Sequence, residues 1–189
     1  LVKEGKVRYI GTSNDTAYGL TKANETSRNK NITRFESIQN NFSLLNPRFL
    51  DELSTVCKNE NISLLPYSPI GGGVLSGKYN NNFFPEDARF SAYMKHENPR
   101  VQAQATRFVN DKTKAATTKY LELAKEYGIS PVTLAVAYSK HFDFVASTII
   151  GARNSEQLDE SLKAFKFKID DELLLKKELI QKEILYPMG

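Results

Sequence analysis

Short apolar runs rich in β-branched and aromatic residues recur at even intervals along the first third of the chain. They cover residues 7–11, 35–39 and 63–67, and their first positions lie 28 residues apart. Runs of this length and composition predict β-strands. Apolar positions between the second and third runs recur at helical spacing, which predicts a helix. Strand–helix alternation at this interval is typical of βαβ units, so the sequence predicts an α/β fold with a parallel sheet.

The rest of the chain continues this pattern after one long interruption. Residues 144–150 predict a fourth parallel strand, and cap residues or cap–proline pairs such as Ser130-Pro131 predict the starts of helices. The helices are expected to end near residues 28, 59, 127, 141, 164 and 183. Residues 68–111, rich in Asn, Pro and charge, are expected to form a long loop that is mobile in part. No linker separates these segments, so residues 1–189 are expected to form one domain.

Composition and charge exclude several classes of function. The chain has 26 basic and 22 acidic side chains, and the basic ones are dispersed, which argues against nucleic acid as a partner. No run approaches the 18 apolar residues that a membrane span needs. The residues after Leu1 form no apolar leader segment, and Cys57 is the single cysteine, which together favour the cytoplasm.

Polar and aromatic residues follow the predicted strands at the ends that parallel strands present to a ligand. Ser13 and Asn14 follow the first strand, and Gln39 ends the second. Their neutral donors and acceptors suit a carboxamide. Tyr67, at the end of the third strand, offers a flat face on which a planar ring could stack.

The segments after the third and fourth strands add groups suited to phosphates. Glycines 71–73 allow close approach of an anion, and Lys78 follows them. Arg153 stands after the fourth strand, where a helix is expected to begin. Each residue alone is more readily explained as an ordinary cap or turn residue. Four such sets at corresponding strand ends instead predict a site for a nicotinamide dinucleotide with a 2′-phosphate.

Three segments of the chain resemble the aldo-keto reductase family. Residues 5–14 resemble the family segment that ends in Ser-Asn, and residues 67–69 with 77–79 resemble its nicotinamide-stacking strand and the loop that follows. Residues 146–153 with 156–158 resemble its final strand and adenosine-phosphate site. The resemblance covers nearly the whole chain and is closest to the Tas-like branch, which shares features with the potassium-channel β subunits.

The resemblance implies a TIM-type (β/α)8 barrel of which this chain is the carboxyl-terminal half, with four parallel strands and surrounding helices. It implies NADP(H)-dependent reduction of aldehydes or ketones, with a small carbonyl compound as substrate. It further implies that Ser13, Asn14 and Gln39 hold the carboxamide and that Tyr67 stacks on the nicotinamide. The remaining implied cofactor-binding residues, from the pyrophosphate to the adenosine end, are Ser68, Pro69, Ile70, Gly71, Gly73, Leu75, Lys78, Arg89, Gly151, Arg153, Gln157, Glu160 and Ser161.

The same resemblance places the catalytic residues of the family, an Asp, a Tyr, a Lys and a His, upstream of Leu1. Tyr67 and Lys78 do not match those positions. His96 and His141 do not match them either. We therefore expect no catalytic residue and no metal site in this segment, and we expect the segment alone to be inactive.

A half barrel leaves strand edges open, and closed barrels avoid such edges. The missing amino-terminal half of the barrel and a second copy of this chain are the two partners that could cover them. We favour a longer chain, because residues 1–5 lack a start methionine and read as the middle of a helix. Two other functions remain open: a cofactor-sensing or scaffold protein of the same fold, and a phosphate-binding barrel outside this family.

Overall fold

A three-stranded parallel sheet organises the first third of the chain, in a computed structural model that describes residues 1–188 apart from the side chain of Asn82. Its strands are β1 (Ile10–Ser13), β2 (Phe35–Gln39) and β3 (Ser63–Leu64), in that spatial order. Thr12 pairs with Ile38, which in turn pairs with Leu64. The α/β class and the parallel pairing are confirmed. β1 begins three residues later than predicted. It includes Ser13, which is therefore the last residue of the strand and does not follow it.

The predicted fourth strand, residues 144–150, does not form as a strand. The segment pairs with β3 through one parallel bridge, in which Leu64 N–H donates to Phe144 O (2.8 Å) and Ala146 N–H donates to Leu64 O (3.0 Å). The bridge cannot repeat two residues on, because Pro66 has no N–H to donate. Pro66 O instead accepts from Ile149 N–H (2.9 Å), which leaves one extra residue in the segment.

Helices surround the sheet and fill the second half of the chain. None of those within residues 1–188 has both the length and the apolar character that crossing a bilayer requires. In chain order they are α1 (Ala17–Lys30), α2 (Leu53–Glu60), α3 (Arg89–Met94), α4 (Pro99–Phe108), α5 (Asp111–Glu126), α6 (Pro131–Lys140), α7 (Ser155–Leu162) and α8 (Asp171–Glu183), with short 3-10 turns at Arg48–Leu50, Gly71–Ser76, Asn80–Asn82 and Lys163–Phe165.

Side-chain caps fix the starts of the later helices where the sequence predicts them. Ser130 accepts from two N–H groups at the start of α6, and Asn154 accepts from Gln157 N–H at the start of α7. Asp170 does the same for Leu173 N–H at the start of α8. These oxygens satisfy N–H groups that a first helical turn leaves without partners.

Two sequence-based expectations about helices are wrong. The single helix predicted between the second and third strands is split into a 3-10 turn and α2. Asn46, which precedes Pro47 and is a typical cap residue, donates to Asn41 Oδ1 (3.0 Å) and caps neither. The long loop expected over residues 68–111 contains α3 and α4. Helix α4 starts with an Asn–Pro cap at Asn98, the same signal that correctly predicts α6 after Ser130.

Aromatic residues dominate two parts of the core. One group packs between the sheet and α6, with ring centroids between 5.2 and 6.2 Å apart: Phe42, Phe49, Tyr138, Phe142 and Phe144. The other, which we call the loop cluster, packs beneath the glycines 71–73 and joins them to α3 and α4; its members are Tyr79, Phe84, Phe90, Tyr93 and Phe108. Burial of large rings is a major source of stability, so the loop cluster anchors the segment that was expected to be mobile.

Candidate functional site

The ends of the three strands meet through hydrogen bonds that side chains make to one another and to the backbone of Gln39. Ser13 Oγ donates to Gln39 O (2.9 Å), and Asn14 Nδ2 donates to Ser13 Oγ (3.1 Å). Tyr67 hydroxyl donates to Asn14 Oδ1 (2.7 Å) and thereby ties the chain after β3 to the end of β1. These four residues form the strand-end group. As predicted, they gather at one edge of the sheet.

A cleft of about 620 Å3 adjoins this group and shares Tyr67 with it. That volume is within the range typical of small-molecule and cofactor sites. The predicted residues that line the cleft are Tyr67, Ser68, Pro69, Ile70, Gly73, Lys78, Arg89, Gly151, Arg153, Gln157 and Ser161. Ser13, Asn14 and Gln39 lie outside it and reach its margin through the Tyr67–Asn14 hydrogen bond.

The glycine loop shapes one wall of the cleft in a different way from that predicted. Gly71 N–H donates to Ser68 O (2.8 Å) and Gly73 N–H donates to Ile70 O (3.0 Å), so both groups hold the loop's own turns. Gly73 has φ +97°, and a Cβ there would lie 2.6 Å from Lys78 Cε and 2.8 Å from its Nζ. The missing side chain therefore makes room for the Lys78 ammonium group.

Besides Ser13, Asn14 and Gln39, three further predicted residues do not line the cleft. Gly71 is buried beside Leu45, and Leu75 is fully buried in the core, so both support the loop from behind. Glu160 lies on the side of α7 that faces α6, where its Oε1 accepts a short hydrogen bond from Ser130 Oγ. Its backbone oxygen also accepts from Thr133 Oγ1 (3.0 Å), so Glu160 joins the two helices.

Three cationic side chains and one carboxylate set the electrostatics of the cleft. Lys78, Arg89 and Arg153 line it together with Asp87, and Asp87 Oδ2 lies 3.6 Å from Arg153 Nη1. Burial lowers the pKa of Lys78; Asp87 opposes that shift, and the positive charges of Arg153 and Arg89 add to it. Because the three positive charges repel one another, a bound anion of high charge density would be stabilised there and would offset that repulsion.

The end of the cleft near Arg153 is built by the start of α7. Arg153 N–H donates to Gln157 Oε1 (3.1 Å), and Gln157 N–H donates to Asn154 Oδ1 (2.9 Å). Ser161 Oγ donates to Gln157 O one turn further along. The Arg153 side chain is 66% exposed, so its guanidinium can meet a ligand without losing a buried partner.

Several cleft residues were not predicted from the sequence. They are Pro85, Asp87, Ala88, Val136, Ile149, Ile150 and Ala152. Ile149, Ile150 and Ala152 adjoin Gly151, and proximity alone could have indicated them. Val136 is on α6, which carries no polar motif, and only the packed structure brings it to the cleft.

Residues capable of proton transfer or nucleophilic attack are sparse around the cleft. Among the residues the structure describes there, the ionisable ones are Tyr67, Lys78, Asp87, Arg89 and Arg153. His96 lies outside the cleft and accepts from Asn98 N–H through Nδ1 (3.0 Å). Cys57 is buried, and burial raises the pKa of its thiol to about 11, so it is no nucleophile at neutral pH. No cluster of His, Cys, Asp or Glu within residues 1–188 is arranged to hold a metal ion.

Comparison with known proteins agrees with the resemblance in the sequence. The chain matches the model of the Aldo/keto reductase family over residues 1–176. Protein Tas of Escherichia coli (strain K12) is 32% identical over 185 residues, which cover 98% of this chain and 51% of that protein.

Two further relatives show the breadth of the similarity. The uncharacterized oxidoreductase YrpG of Bacillus subtilis (strain 168) is 27% identical over 173 residues, or 92% of this chain and 48% of that protein. A protein of Schizosaccharomyces pombe, named as a candidate voltage-gated potassium channel subunit beta, is 27% identical over 179 residues, or 93% of this chain and 51% of its own. The chain spans about half the length of the curated relatives it matches.

Proposed function

Because the chain belongs to the aldo/keto reductase family, we propose that its cleft is part of an NADP(H) site in an oxidoreductase that reduces aldehydes or ketones. The observation that carries this proposal is the convergence of Lys78, Arg89 and Arg153 on one cleft that shares Tyr67 with the strand-end group. A dinucleotide phosphate combines a planar amide ring with several phosphates, and the strand-end group and the cleft together present groups suited to both.

Each part of the cofactor has proposed partners. The amide and hydroxyl groups of Ser13 and Asn14, with Gln39, hold the carboxamide, and the Tyr67 ring packs against the nicotinamide. The residues proposed for the pyrophosphate are Ser68, Pro69, Ile70, Gly73, Lys78 and Arg89, and those proposed for the adenosine end are Gly151, Arg153, Gln157 and Ser161. Gly71 and Leu75 support the loop, and Glu160 supports α6, so we assign them no direct contact.

The bound cofactor supplies a hydride for the carbonyl carbon of the substrate. The residues of this chain would hold that cofactor and orient its reactive ring, and Val136 and Ile150 add apolar surface to the cleft. We place the proton donor outside the chain, in the part of the relatives' length that the chain does not cover, because Tyr67 and Lys78 do not match the catalytic positions that the family resemblance implies.

The proposed partner of this half barrel is the other half, which corresponds to the part of the relatives' length that the chain does not cover. β1 has one neighbour in the described sheet, β2, and its other edge is unpaired there. Tyr9, which precedes β1, and Tyr18 on α1 are exposed. Leu158 and Leu162 are exposed on α7 in the same way. Upstream strands and helices would cover these groups; a second copy of the chain is the alternative partner.

The reduced, buried Cys57 suits a cytoplasmic setting.

Titration of the complete protein with NADPH tests the cofactor assignment. The wild type is expected to bind saturably, with a change in NADPH fluorescence, and Lys78→Ala to bind at least fivefold more weakly. Lys58→Ala is the matched control, because Lys58 pairs with Asp143 and does not line the cleft. The assignment is wrong if the wild type shows no saturable binding, or if the two lysine variants lose affinity equally.

A second function, cofactor sensing without useful turnover, is favoured by the similarity to the channel-subunit relative. The same preparation distinguishes the two functions. Oxidation of NADPH in the presence of small aldehydes or ketones supports the reductase. Tight NADPH binding with no turnover of any carbonyl compound supports the sensor.

A further inference from the structure

Two aromatic residues join the two segments that bring cations into the cleft. Tyr79 is fully buried, and its hydroxyl oxygen accepts from Phe90 N–H (3.3 Å) while the two ring centroids lie 5.8 Å apart. Lys78 precedes Tyr79 in the chain, and Arg89 precedes Phe90. The Tyr79–Phe90 pair therefore fixes the distance between the points at which the two cations enter the cleft.

The hydrogen bond from Phe90 also replaces a cap that α3 lacks. Ala88 occupies the cap position with extended backbone (φ −84°, ψ 146°) but has no side-chain oxygen to accept a hydrogen bond. Phe90 is the second residue of the helix, and its N–H is among those that a first turn leaves without a helical partner. The Tyr79 hydroxyl accepts it from outside the helix. Burial raises the pKa of Tyr79, so this hydroxyl stays protonated and uncharged at neutral pH.

The Phe90 ring is confined on two sides, so its backbone cannot shift freely. A Cβ on Gly72 would lie 2.6 Å from two carbons of the ring, which shows that the ring packs directly against the glycine loop. On another side Phe108 of α4 stacks on it, with centroids 5.0 Å apart. The backbone next to Arg89 is therefore held in place at Phe90, both by a hydrogen bond and by ring packing.

We propose that Tyr79 is a positioning residue for the cofactor site: its hydroxyl caps α3 and, through Phe90, sets where the Arg89 guanidinium enters the cleft. This inference rests on the proposed function, because it takes NADPH as the ligand of Arg89. Tyr79 lies outside the set of residues that line the cleft. Its ring contacts Lys78, whose Nζ lies 5.4 Å from the ring centroid, but its hydroxyl contacts Phe90, so the effect of the hydroxyl on the ligand passes through Arg89.

A double-mutant cycle measured on the complete protein tests this route. Tyr79→Phe removes one hydroxyl and is expected to weaken NADPH binding about fivefold. In an Arg89→Ala background the same change is expected to weaken binding less than about 1.5-fold, because the residue it positions is gone. A fivefold loss in both backgrounds, or no loss in either, overturns the proposal.

A rescue experiment distinguishes the loss of the α3 cap from a change in the packing around Tyr79. Adding Ala88→Ser to Tyr79→Phe gives α3 its own side-chain acceptor. Because Ala88 lines the cleft, the reference is the single variant Ala88→Ser, and the double variant is expected to bind NADPH within about twofold of it. This pair also covers the case in which Tyr79→Phe alone does not fold. The control is Tyr93→Phe, which removes a hydroxyl from a residue whose ring also contacts Phe90 and is expected to leave affinity unchanged. Failure of the rescue, or an equal loss in the control, contradicts the proposal.

Hydrogen exchange of the Phe90 amide provides a readout that needs no cofactor. Tyr79→Phe is expected to speed this exchange at least fivefold, and Ala88→Ser to slow it again. If the wild type binds no NADPH, the proposed function fails and the positioning of a ligand contact fails with it. The capping of α3 is then judged by the exchange rates alone, and unchanged rates would refute it too.

Discussion

The hydroxyl of Tyr67 donates a hydrogen bond of 2.7 Å to Asn14 Oδ1, across 53 positions of sequence. The bond orients the Asn14 amide, whose Nδ2 in turn donates to Ser13 Oγ. Asn14 has φ +54°, a conformation that asparagine tolerates better than most residues. The strand-end group is thus ordered by contacts among its own members before any ligand arrives.

Tyr67→Phe keeps the ring and removes this hydrogen bond. We expect the free energy of unfolding to fall by about 0.5–1 kcal/mol and NADPH affinity to fall about two- to fivefold, because Asn14 loses its orientation. Tyr67→Leu, which also removes the ring, is expected to bind more weakly still. The control is Tyr9→Phe, since Tyr9 is 70% exposed and lies beyond the opposite end of β1. Equal affinities for all three variants in an NADPH titration would contradict the role of Tyr67.

Gly73→Ala tests the space reserved for Lys78. The added Cβ would approach Lys78 Cε within 2.6 Å and displace the ammonium group, so we expect NADPH affinity to fall at least fivefold. Gly128→Ala is matched to it, because Gly128 also has positive φ but has nothing within 4 Å of an added Cβ. Both variants should lose about 1 kcal/mol of stability in urea unfolding. Only Gly73→Ala should lose NADPH affinity. Equal affinities for the two variants would refute the claim that Gly73 leaves room for the Lys78 ammonium group.

Asp87→Asn removes the carboxylate that faces Arg153 at 3.6 Å. Asp87 is 82% exposed, so the ion pair contributes little to stability, and unfolding should be unchanged within about 0.5 kcal/mol. We expect NADPH binding to tighten about two- to threefold at low salt, because the carboxylate no longer competes with the cofactor's phosphates. Asp143→Asn makes the same charge change beside Lys58, away from the cleft. Weaker binding by Asp87→Asn, or the same tightening in Asp143→Asn, would show that Asp87 does not compete.

Glu160→Gln separates the observed contact of Glu160 from the role that the family resemblance implies. The structure directs its carboxylate to Ser130 at the start of α6. We therefore expect a loss of about 0.5–1.5 kcal/mol in unfolding free energy and NADPH affinity within twofold of the wild type. Glu156→Gln, an exposed change on the same helix, is the control for stability. A large loss of NADPH affinity with unchanged stability would place Glu160 at the cofactor instead.

The sequence predicts the strand-end group well because each of its members follows a strand with a clear hydrophobic pattern. Ser13, Gln39 and Tyr67 come together once the strands are parallel and in register, which the even spacing of the strands indicates. The prediction of Arg153 likewise depends on a local signal, a cap at Asn154 that starts α7.

Features that depend on packing between distant segments could not be predicted in this way. The position of Glu160 depends on which side of α7 faces α6, and the sequence of α7 does not reveal its neighbour. The loss of the fourth strand depends on Pro66, which interrupts pairing in a segment 80 residues downstream of it. Asp87 enters the cleft because the loop cluster folds residues 83–108 back over the glycines, a contact among side chains far apart in sequence.

The most direct test of the account is the affinity of Arg153→Ala for NADPH and for NADH, measured on the complete protein. These cofactors differ only in the 2′-phosphate, and the account assigns that phosphate to the Arg153 guanidinium. It predicts that Arg153→Ala weakens NADPH binding about tenfold or more and changes NADH binding less than twofold. Equal losses for the two cofactors, or no loss for either, would contradict it.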